Sequence, residues 1–195
     1  MLLFFGVIAA ALVIAVVTGG DVRRLSHIKL EHPELLVAAL ACKVGVALLG
    51  TSHSVTVVNL ARPLNVIGAL LLLVVVWFNR RIPGALLFGL GLALNLVVIL
   101  WFGGRMPVLL PEDVNSHSSA LALLRGGLDP LHVELTRPAG PWFLGDIFAI
   151  PGLSGHISLV SPGDLLMSAG IAWLIIRCSR PPLVAPAAYG SSPSR

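Results

Sequence analysis

Two aspartates are the residues of this sequence best suited to act as acids. Each directly follows a glycine, in Gly145-Asp146 and Gly163-Asp164, and each adjoins strongly apolar sequence. A carboxyl group that loses part of its hydration has a raised pKa, so it keeps a proton to donate at neutral pH. We predict that Asp146 is such an acid, able to protonate an alkene or an epoxide. For Asp164, which follows Ser161 just before an apolar run, a helix cap is the competing interpretation.

His132 and Glu134 form a second candidate pair. They stand two residues apart and share a face if the segment is extended, as an acid/base couple would require. The sequence has no His-Glu-x-x-His motif or second ligand cluster beside them, and Cys42 and Cys178 show no metal-site spacing. We therefore expect the pair to assist an acid, without a metal ion or a cofactor.

Several aromatic residues accompany Asp146 in the sequence. A carbocation needs a dry aromatic wall, because ring faces stabilise cations and exclude water. At a membrane boundary the same side chains are also the ordinary anchoring belt of membrane proteins. The candidates for a substrate-binding wall are Trp101, Trp142, Phe143, Phe148 and Trp173.

Two cations stand where charge is costly. Lys43 lies in the middle of an apolar run, where its ammonium group needs an acid, an anionic head group such as a diphosphate, or a path to the interface. Arg105 ends another apolar run, and we expect it to pair with Asp146 or Glu112. Both cations are candidate substrate-binding residues. Two further polar residues inside apolar runs are predicted to form hydrogen bonds between helices: Asn65 and Asn95.

The elements that must position these residues are apolar helices. Of the 195 residues, 56% are hydrophobic and only 11% are charged, against about 25% charged in soluble proteins. Too few residues remain outside the apolar runs for a soluble catalytic domain or a nucleic-acid module. The sequence predicts an all-α polytopic membrane protein with one transmembrane domain, 1–178, and about five spans: 2–17, 33–52, 64–78, 84–102 and 165–176.

Polar segments connect the predicted spans. Residues 79–84 hold two arginines, a proline and a glycine, which indicate a tight turn between antiparallel spans three and four. The long connection 103–163 carries the candidate acids, with a short interfacial helix predicted over 116–124. Residues 179–195, rich in proline, alanine and serine, are predicted to be a disordered tail.

Charged residues set the predicted orientation. Basic residues follow the first apolar run instead of preceding it, so we expect a retained span with an outside N-terminus. Eight basic and three acidic residues then fall on the cytoplasmic side, and four basic and six acidic residues outside. Because positive charge favours the cytoplasmic side, this predicts a multi-pass cell-membrane protein with a cytoplasmic C-terminus.

Three motifs resemble those of a family of small bacterial membrane proteins of unknown function. They are Gly103-Gly104-Arg105-Met106-Pro107-Val108, Phe143-Leu144-Gly145-Asp146-Ile147 and Ser161-Pro162-Gly163-Asp164. The resemblance covers nearly the whole chain and implies a topology but no reaction. By size, composition and span count, the chain also resembles small actinobacterial membrane terpene cyclases, which act on prenylated indole or peptide precursors.

The leading hypothesis is an integral-membrane terpene cyclase of secondary metabolism, an isomerase- or lyase-type enzyme of terpenoid or antibiotic biosynthesis. Asp146 would protonate the prenyl chain of a lipophilic small molecule, assisted by Asp164, His132 or Glu134. The other expected partners are membrane lipid and a second copy of the chain, and not nucleic acid. Two alternatives stay open: a non-catalytic membrane accessory protein that docks through its outer loop, and a solute or ion carrier that uses Lys43, Asn65 and Asn95 as a pathway.

Overall fold

The chain is mainly helical, with short strands inserted before its last helix. The computed structural model describes residues 2–49, 55–110, 119–127, 129–151 and 157–181. The α-helices, in chain order, are α1 (Leu2–Val17), α2 (Pro33–Leu49), α3 (Val55–Phe78), α4 (Ala85–Trp101), α5 (Ser119–Arg125) and α6 (Pro162–Cys178). Two 3₁₀ helices cover Val22–His27 and Trp142–Leu144, and the strands are β1 (Met106–Val108), β2 (His132–Glu134), β3 (Phe148–Pro151) and β4 (Ile157–Val160).

Helices α2, α3, α4 and α6 pack in sequence order, α2 against α3, α3 against α4 and α4 against α6, and α1 packs against α6. Glycines bring α4 and α6 close together. A side chain at Gly91 would collide with the Gly163 carbonyl oxygen, and one at Gly170 would meet the Phe88 backbone. Small residues allow this approach because no Cβ separates the two backbones. The α4–α6 contact therefore depends on glycine along its length.

The turn between α3 and α4 is as tight as the sequence predicts. Gly84 begins α4 with φ +83°, a left-handed conformation that favours glycine. Asn79, at the end of α3, donates from Nδ2 to the Glu31 carbonyl oxygen at 2.9 Å, and the Glu31 amide donates to Asn79 Oδ1 at 2.8 Å. This pair of hydrogen bonds ties the turn to the segment that precedes α2.

The bundle has two ends that differ in charge. We call the end where α4 finishes and α6 begins the acidic end, and the opposite end, where α3 turns into α4 and α6 finishes, the basic end. At the acidic end β1 pairs with β2 in parallel, β3 pairs with β4 antiparallel, and Val108 forms a bridge with Asp146. The prediction of an all-α chain missed these strands, because segments of three or four residues are too short to show an alternating pattern.

Predicted and observed helix limits agree closely except in α3. That helix begins at Val55, although the predicted third span begins at 64. Arg62 and Pro63 interrupt the apolar run, but a helix continues through a proline at the cost of one backbone hydrogen bond. The predicted short helix is observed as α5. Three predicted ranges lie outside the described residues: 50–52 of the second span, 116–118 of the short helix and 182–195 of the tail.

In the described part of the chain, one helical segment, Asn59–Phe78, is long and apolar enough to cross a membrane. Leu3–Val17 and Ala85–Trp101 are apolar but shorter.

Candidate functional site

Three titratable side chains meet at the acidic end. Asp129 lies just before β2, and its Oδ1 accepts hydrogen bonds from the backbone amides of Leu131 at 2.8 Å and His132 at 2.7 Å. The same carboxylate lies 3.1 Å from Nδ1 of the His132 ring. On the other side of the ring, Nε2 lies 3.9 Å from Oδ2 of Asp146. We call these residues, Asp129, His132 and Asp146, the acid cluster.

The backbone around Asp146 is held against β1. Its amide donates to the Pro107 carbonyl oxygen at 2.9 Å, and the Leu109 amide donates to the Asp146 carbonyl oxygen at 3.2 Å. Gly145 lies so close to Pro107 that a Cβ there would meet the Pro107 carbonyl. The glycine before the candidate acid is thus required by the close approach of two backbone segments.

The environment of Asp146 favours its protonated form. The residue is 8% exposed, and its Oδ1 has no hydrogen-bond partner among the described residues. Burial and the nearby charge of Asp164 raise the pKa of Asp146 to about 7, although His132 opposes the shift. A carboxyl group with this pKa holds a proton that it can donate near neutral pH.

The other two members of the acid cluster shift in the directions expected for an ion pair. Burial disfavours the charged form of His132, but the Asp129 hydrogen bond and the surrounding carboxylates raise the pKa of the ring overall. Burial likewise opposes ionisation of Asp129, but its hydrogen bonds from His132 and the backbone lower its pKa. These directions favour the charged forms of Asp129 and His132 and the protonated form of Asp146.

Asp164 takes the position of a helix cap. Ser161 is the N-cap of α6, with Ser161 Oγ accepting from the Asp164 amide at 2.9 Å and Asp164 Oδ2 accepting from the Ser161 amide at 3.2 Å. Asn95 on α4 donates from Nδ2 to Asp164 Oδ1 at 2.9 Å. Both carboxylate oxygens are therefore occupied, and Asp164 acts on Asp146 through its charge. The predicted hydrogen bond of Asn95 between helices is confirmed.

Glu134 does not act as a couple with His132 in this structure. Its carboxylate lies 3.6 Å from Nε of Arg125 on α5, whereas the His132 ring contacts Asp129 and Asp146. The two residues are in β2, where residues two apart point to one face. Sharing a face is therefore not enough to pair them, because each finds a different partner from a neighbouring segment.

Arg105 does not form the predicted ion pair with Asp146. In the described part of the chain the cationic group found beside Asp146 is His132, and Glu112, the other predicted partner, lies outside the described residues. Burial and the charge of Arg62 lower the pKa of Arg105, and Asp129 opposes the shift. The Nε atoms of Arg62 and Arg105 are both buried without a hydrogen-bond partner within the described ranges. Both guanidinium groups lie at this end, and among the described residues neither forms a salt bridge with a carboxylate.

The ammonium group of Lys43 forms a hydrogen bond with a side-chain amide. Its Nζ donates to Asn65 Oδ1 at 2.7 Å, which links α2 to α3. The predicted interhelical role of Asn65 is confirmed. The bond gives the ammonium group one hydrogen-bond acceptor that is not a carboxylate.

The predicted aromatic wall faces outward. Exposed fractions are 68% for Trp101, 54% for Phe143, 45% for Phe148 and 55% for Trp173. Trp142 is half-buried in its 3₁₀ helix. Side chains with this exposure do not enclose Asp146, and they match the alternative interpretation of an interfacial belt.

Sequence reasoning overlooked Asp129 and Arg62. The signal for Asp129 is its place three residues before His132, where an aspartate can bond the backbone of the turn into a strand. The signal for Arg62 is a basic residue on the predicted outer side, against the usual charge preference. Within the described ranges, no group of three or more His, Cys, Asp or Glu side chains is arranged to hold a metal ion.

A comparison with protein families finds one match for this chain. The model of a family of unknown function (DUF5317) matches residues 27–176, a range that includes the acid cluster and the α4–α6 contact. Comparisons with curated proteins and with solved structures find no match.

Proposed function

The chain belongs to this family of unknown function, and we propose that it is an integral-membrane enzyme whose acid, Asp146, protonates the prenyl chain of a lipophilic substrate and starts its cyclisation. The observation that carries the proposal is the buried Asp146 carboxyl group, with one free oxygen and a pKa of about 7, beside a ring that Asp129 holds in place.

The surface of the helices supports a membrane location with five spans. Soluble proteins rarely expose large continuous apolar surfaces, yet each long helix here has an apolar side chain more than half exposed. Examples are Val17 at 79%, Val37 at 65%, Trp77 at 64%, Leu86 at 61% and Trp173 at 55%. Helices of 16 or 17 residues are about 25 Å long, near the thickness of a hydrocarbon core.

The charges at the two ends support the proposed orientation. The basic end carries most of the cations of the described chain: Arg23, Arg24, Lys29, Arg80, Arg81, Arg177 and Arg180. Because basic residues favour the cytoplasmic side, the acid cluster then lies at the outer boundary of the bilayer, with the N-terminus outside and the C-terminus in the cytoplasm.

In the proposed reaction the substrate gains one proton at the start and loses one proton at the end. Asp146 donates its proton to an alkene or an epoxide. With an alkene, a C–H bond forms as the π bond breaks; with an epoxide, an O–H bond forms as the C–O bond breaks. The resulting carboxylate is stabilised by the cationic ring of His132, which Asp129 orients. Ring closure uses a second alkene of the same chain, and the final cation loses a proton to the Asp146 carboxylate. The product is an isomer of the substrate.

Arg62 and Arg105 could bind a polar end of the proposed substrate. The Nε atoms of both residues are buried without a hydrogen-bond partner within the described ranges, and an unsatisfied buried donor is costly, so a polar or anionic group of the substrate at this place would be favoured. The apolar prenyl chain would then approach from the bilayer, past the exposed rings of Phe143 and Phe148. This keeps Arg105 as a substrate-binding residue, with Arg62 added.

The test is expression in a bacterium that makes farnesyl- and geranylgeranyl-linked aromatic compounds. Extracts from cells with the wild-type chain, Asp146→Asn and Glu34→Gln are compared by mass and retention time. Glu34 is an exposed carboxylate at the opposite end of the bundle, so it is the matched control. A product of unchanged mass with wild type and Glu34→Gln, absent with Asp146→Asn, supports the proposal. A product that persists with Asp146→Asn overturns the role of Asp146.

A membrane accessory protein is the second candidate function. The observation that favours it is the exposure of Phe143 and Phe148 beside the acid cluster, since exposed aromatic side chains mark interaction surfaces. In this case Phe143→Ser with Phe148→Ser abolishes association with a partner, while Asp146→Asn changes no metabolite. Isomer formation by the wild-type chain would exclude a purely accessory role.

A further inference from the structure

We infer that the basic end binds an anionic phospholipid, with its phosphate in a basic cavity and an acyl chain in an adjoining apolar cleft. The basic cavity has a volume of about 480 Å³. Four side chains that carry or can carry positive charge line it: Arg24, His27, Arg177 and Arg180. Among the described residues of the lining none is acidic, so an anionic group is the complementary ligand.

The three arginine side chains of the cavity are available to a ligand, whereas Nδ1 of His27 lies 3.2 Å from the Arg23 carbonyl oxygen. In the described part of the chain, none of them takes part in a salt bridge; the ion pair at this end joins His32 and Glu34. Asp21 lies beside Ser179, but its Oδ1 accepts a hydrogen bond from the Arg23 amide as the cap of a short helix. The cavity therefore has an excess of positive charge.

The apolar cleft opens between α2, α3, α4 and α6. It has a volume of about 360 Å³, which is within the size range of ligand pockets. Its walls are apolar apart from Asn79 and include Leu36, Val76, Phe88 and Leu174. Asn79 is bonded to Glu31 and Val75, so the cleft offers an acyl chain an apolar environment.

The linings of the two spaces are adjacent at the turn between α3 and α4. Pro83 lines the basic cavity, whereas Ile82 and Gly84 line the apolar cleft. On α6, Leu174 lines the cleft and Arg177 lines the cavity one turn later. A ligand with an anionic head and an apolar tail can therefore occupy both spaces at once, which a free phosphate cannot do.

The inference rests on the proposed membrane placement and is independent of the proposed acid chemistry. That placement puts the basic end at the cytoplasmic leaflet, where anionic lipids are found and each nearby arginine contributes to their binding. Basic pockets between helices on this side recognise phosphate head groups. The observed lining adds a place for the tail, which distinguishes one seated lipid from a diffuse surface charge.

The experiment is native mass spectrometry of the full-length chain, released from vesicles of dioleoyl phosphatidylglycerol or dioleoyl phosphatidylcholine. We expect one retained phosphatidylglycerol per chain and little retained phosphatidylcholine. In Arg177→Gln/Arg180→Gln the apparent dissociation constant for phosphatidylglycerol should rise about 30-fold, at roughly fivefold for each arginine. The matched control, Arg23→Gln/Arg81→Gln, removes the same charge from the same end outside both spaces and should retain the lipid.

Three outcomes would overturn the inference. Equal loss of lipid in both double variants would assign binding to a diffuse field. Equal retention of the two lipids by the wild type would exclude recognition of the head group. Competition by glycerol 3-phosphate as effective as by the lipid would exclude the apolar cleft. Asp146→Asn should retain the lipid, so failure of this inference and failure of the proposed reaction are told apart.

Discussion

Nε2 of His132 lies 3.9 Å from Oδ2 of Asp146. One ring thus stands between a carboxylate that it bonds directly, Asp129, and a buried carboxyl group that it faces without a hydrogen bond. Direct bonding favours ionisation of Asp129, while burial keeps the proton on Asp146. Two aspartates at one ring therefore differ in protonation, which is the condition for an acid and its stabilising partner to coexist at neutral pH.

The stability of the protein should depend on Asp146 at mildly acidic pH. Its pKa is about 7 in the folded chain against an ordinary value of 3.8, so between these values the folded state binds the additional proton. Stability therefore falls as pH rises, by roughly 2.4 kcal/mol between about pH 4 and 6. Thermal unfolding in detergent should show this slope in wild type and a much flatter one in Asp146→Asn. Parallel curves would contradict the burial of the carboxyl group.

His132 should control the pH profile of the proposed reaction. Its positive charge lowers the pKa of Asp146, so His132→Gln should raise that pKa and move the alkaline limb of activity to higher pH. The maximal rate should fall as well, because the carboxylate formed by proton transfer loses its stabilising cation. The measurement is product formation against pH in membranes. An unchanged limb with a lower rate would indicate a purely structural role.

Asn95 should stabilise the contact between α4 and α6. Asn95→Ala leaves Ser161 Oγ and Asp164 Oδ1 without their partner and should cost about 1–3 kcal/mol. The matched control is Asn59→Ala, because Asn59 is exposed on α3 and its loss should be close to neutral. Thermal unfolding of both variants checks the difference, and equal stabilities would exclude the network as a stabilising contact.

Gly91 should not tolerate a side chain. Its Cβ would collide with the Gly163 carbonyl oxygen, whereas nothing lies within 4 Å of a Cβ at Gly6 in α1. Gly91→Ala should therefore destabilise the protein by about 1–3 kcal/mol through overpacking, while Gly6→Ala should be neutral or slightly stabilising. The readout is the temperature of unfolding in detergent; a tolerated Gly91→Ala would mean that α4 and α6 can move apart freely.

The proposed orientation can be checked with single cysteines in a Cys42→Ser/Cys178→Ser background. Thr136 is exposed at the acidic end and Ser26 at the basic end. In intact cells, a membrane-impermeant thiol reagent should label Thr136→Cys, and Ser26→Cys should react only after lysis. The reverse pattern would place the acid cluster in the cytoplasm. Labelling of both in intact cells would contradict opposite sides for the two ends.

Local sequence signals were sufficient for the long helices and for the glycine-arginine turn between α3 and α4. Apolar runs and helix-breaking residues act over a few neighbouring positions, so their consequences can be deduced from the chain alone. The same holds for the cap at Ser161 and Asp164, whose spacing is that of a capping box. Asp146 was also identified from its setting, a single carboxylate in an apolar, glycine-containing segment.

Only the tertiary structure decided which charged groups meet. Asp129 and His132 belong to the β2 segment and Asp146 to a later one, and the two are joined through β1 by its pairing with β2 and by the bridge between Val108 and Asp146. These contacts are parallel and join positions far apart in the sequence. The strands have only three residues each, or are single bridges, so they show no alternating pattern from which they could be predicted. The partners of Asp146 and Arg105 depend on distances in space, which is why the sequence singled out both residues without finding that His132 lies beside Asp146.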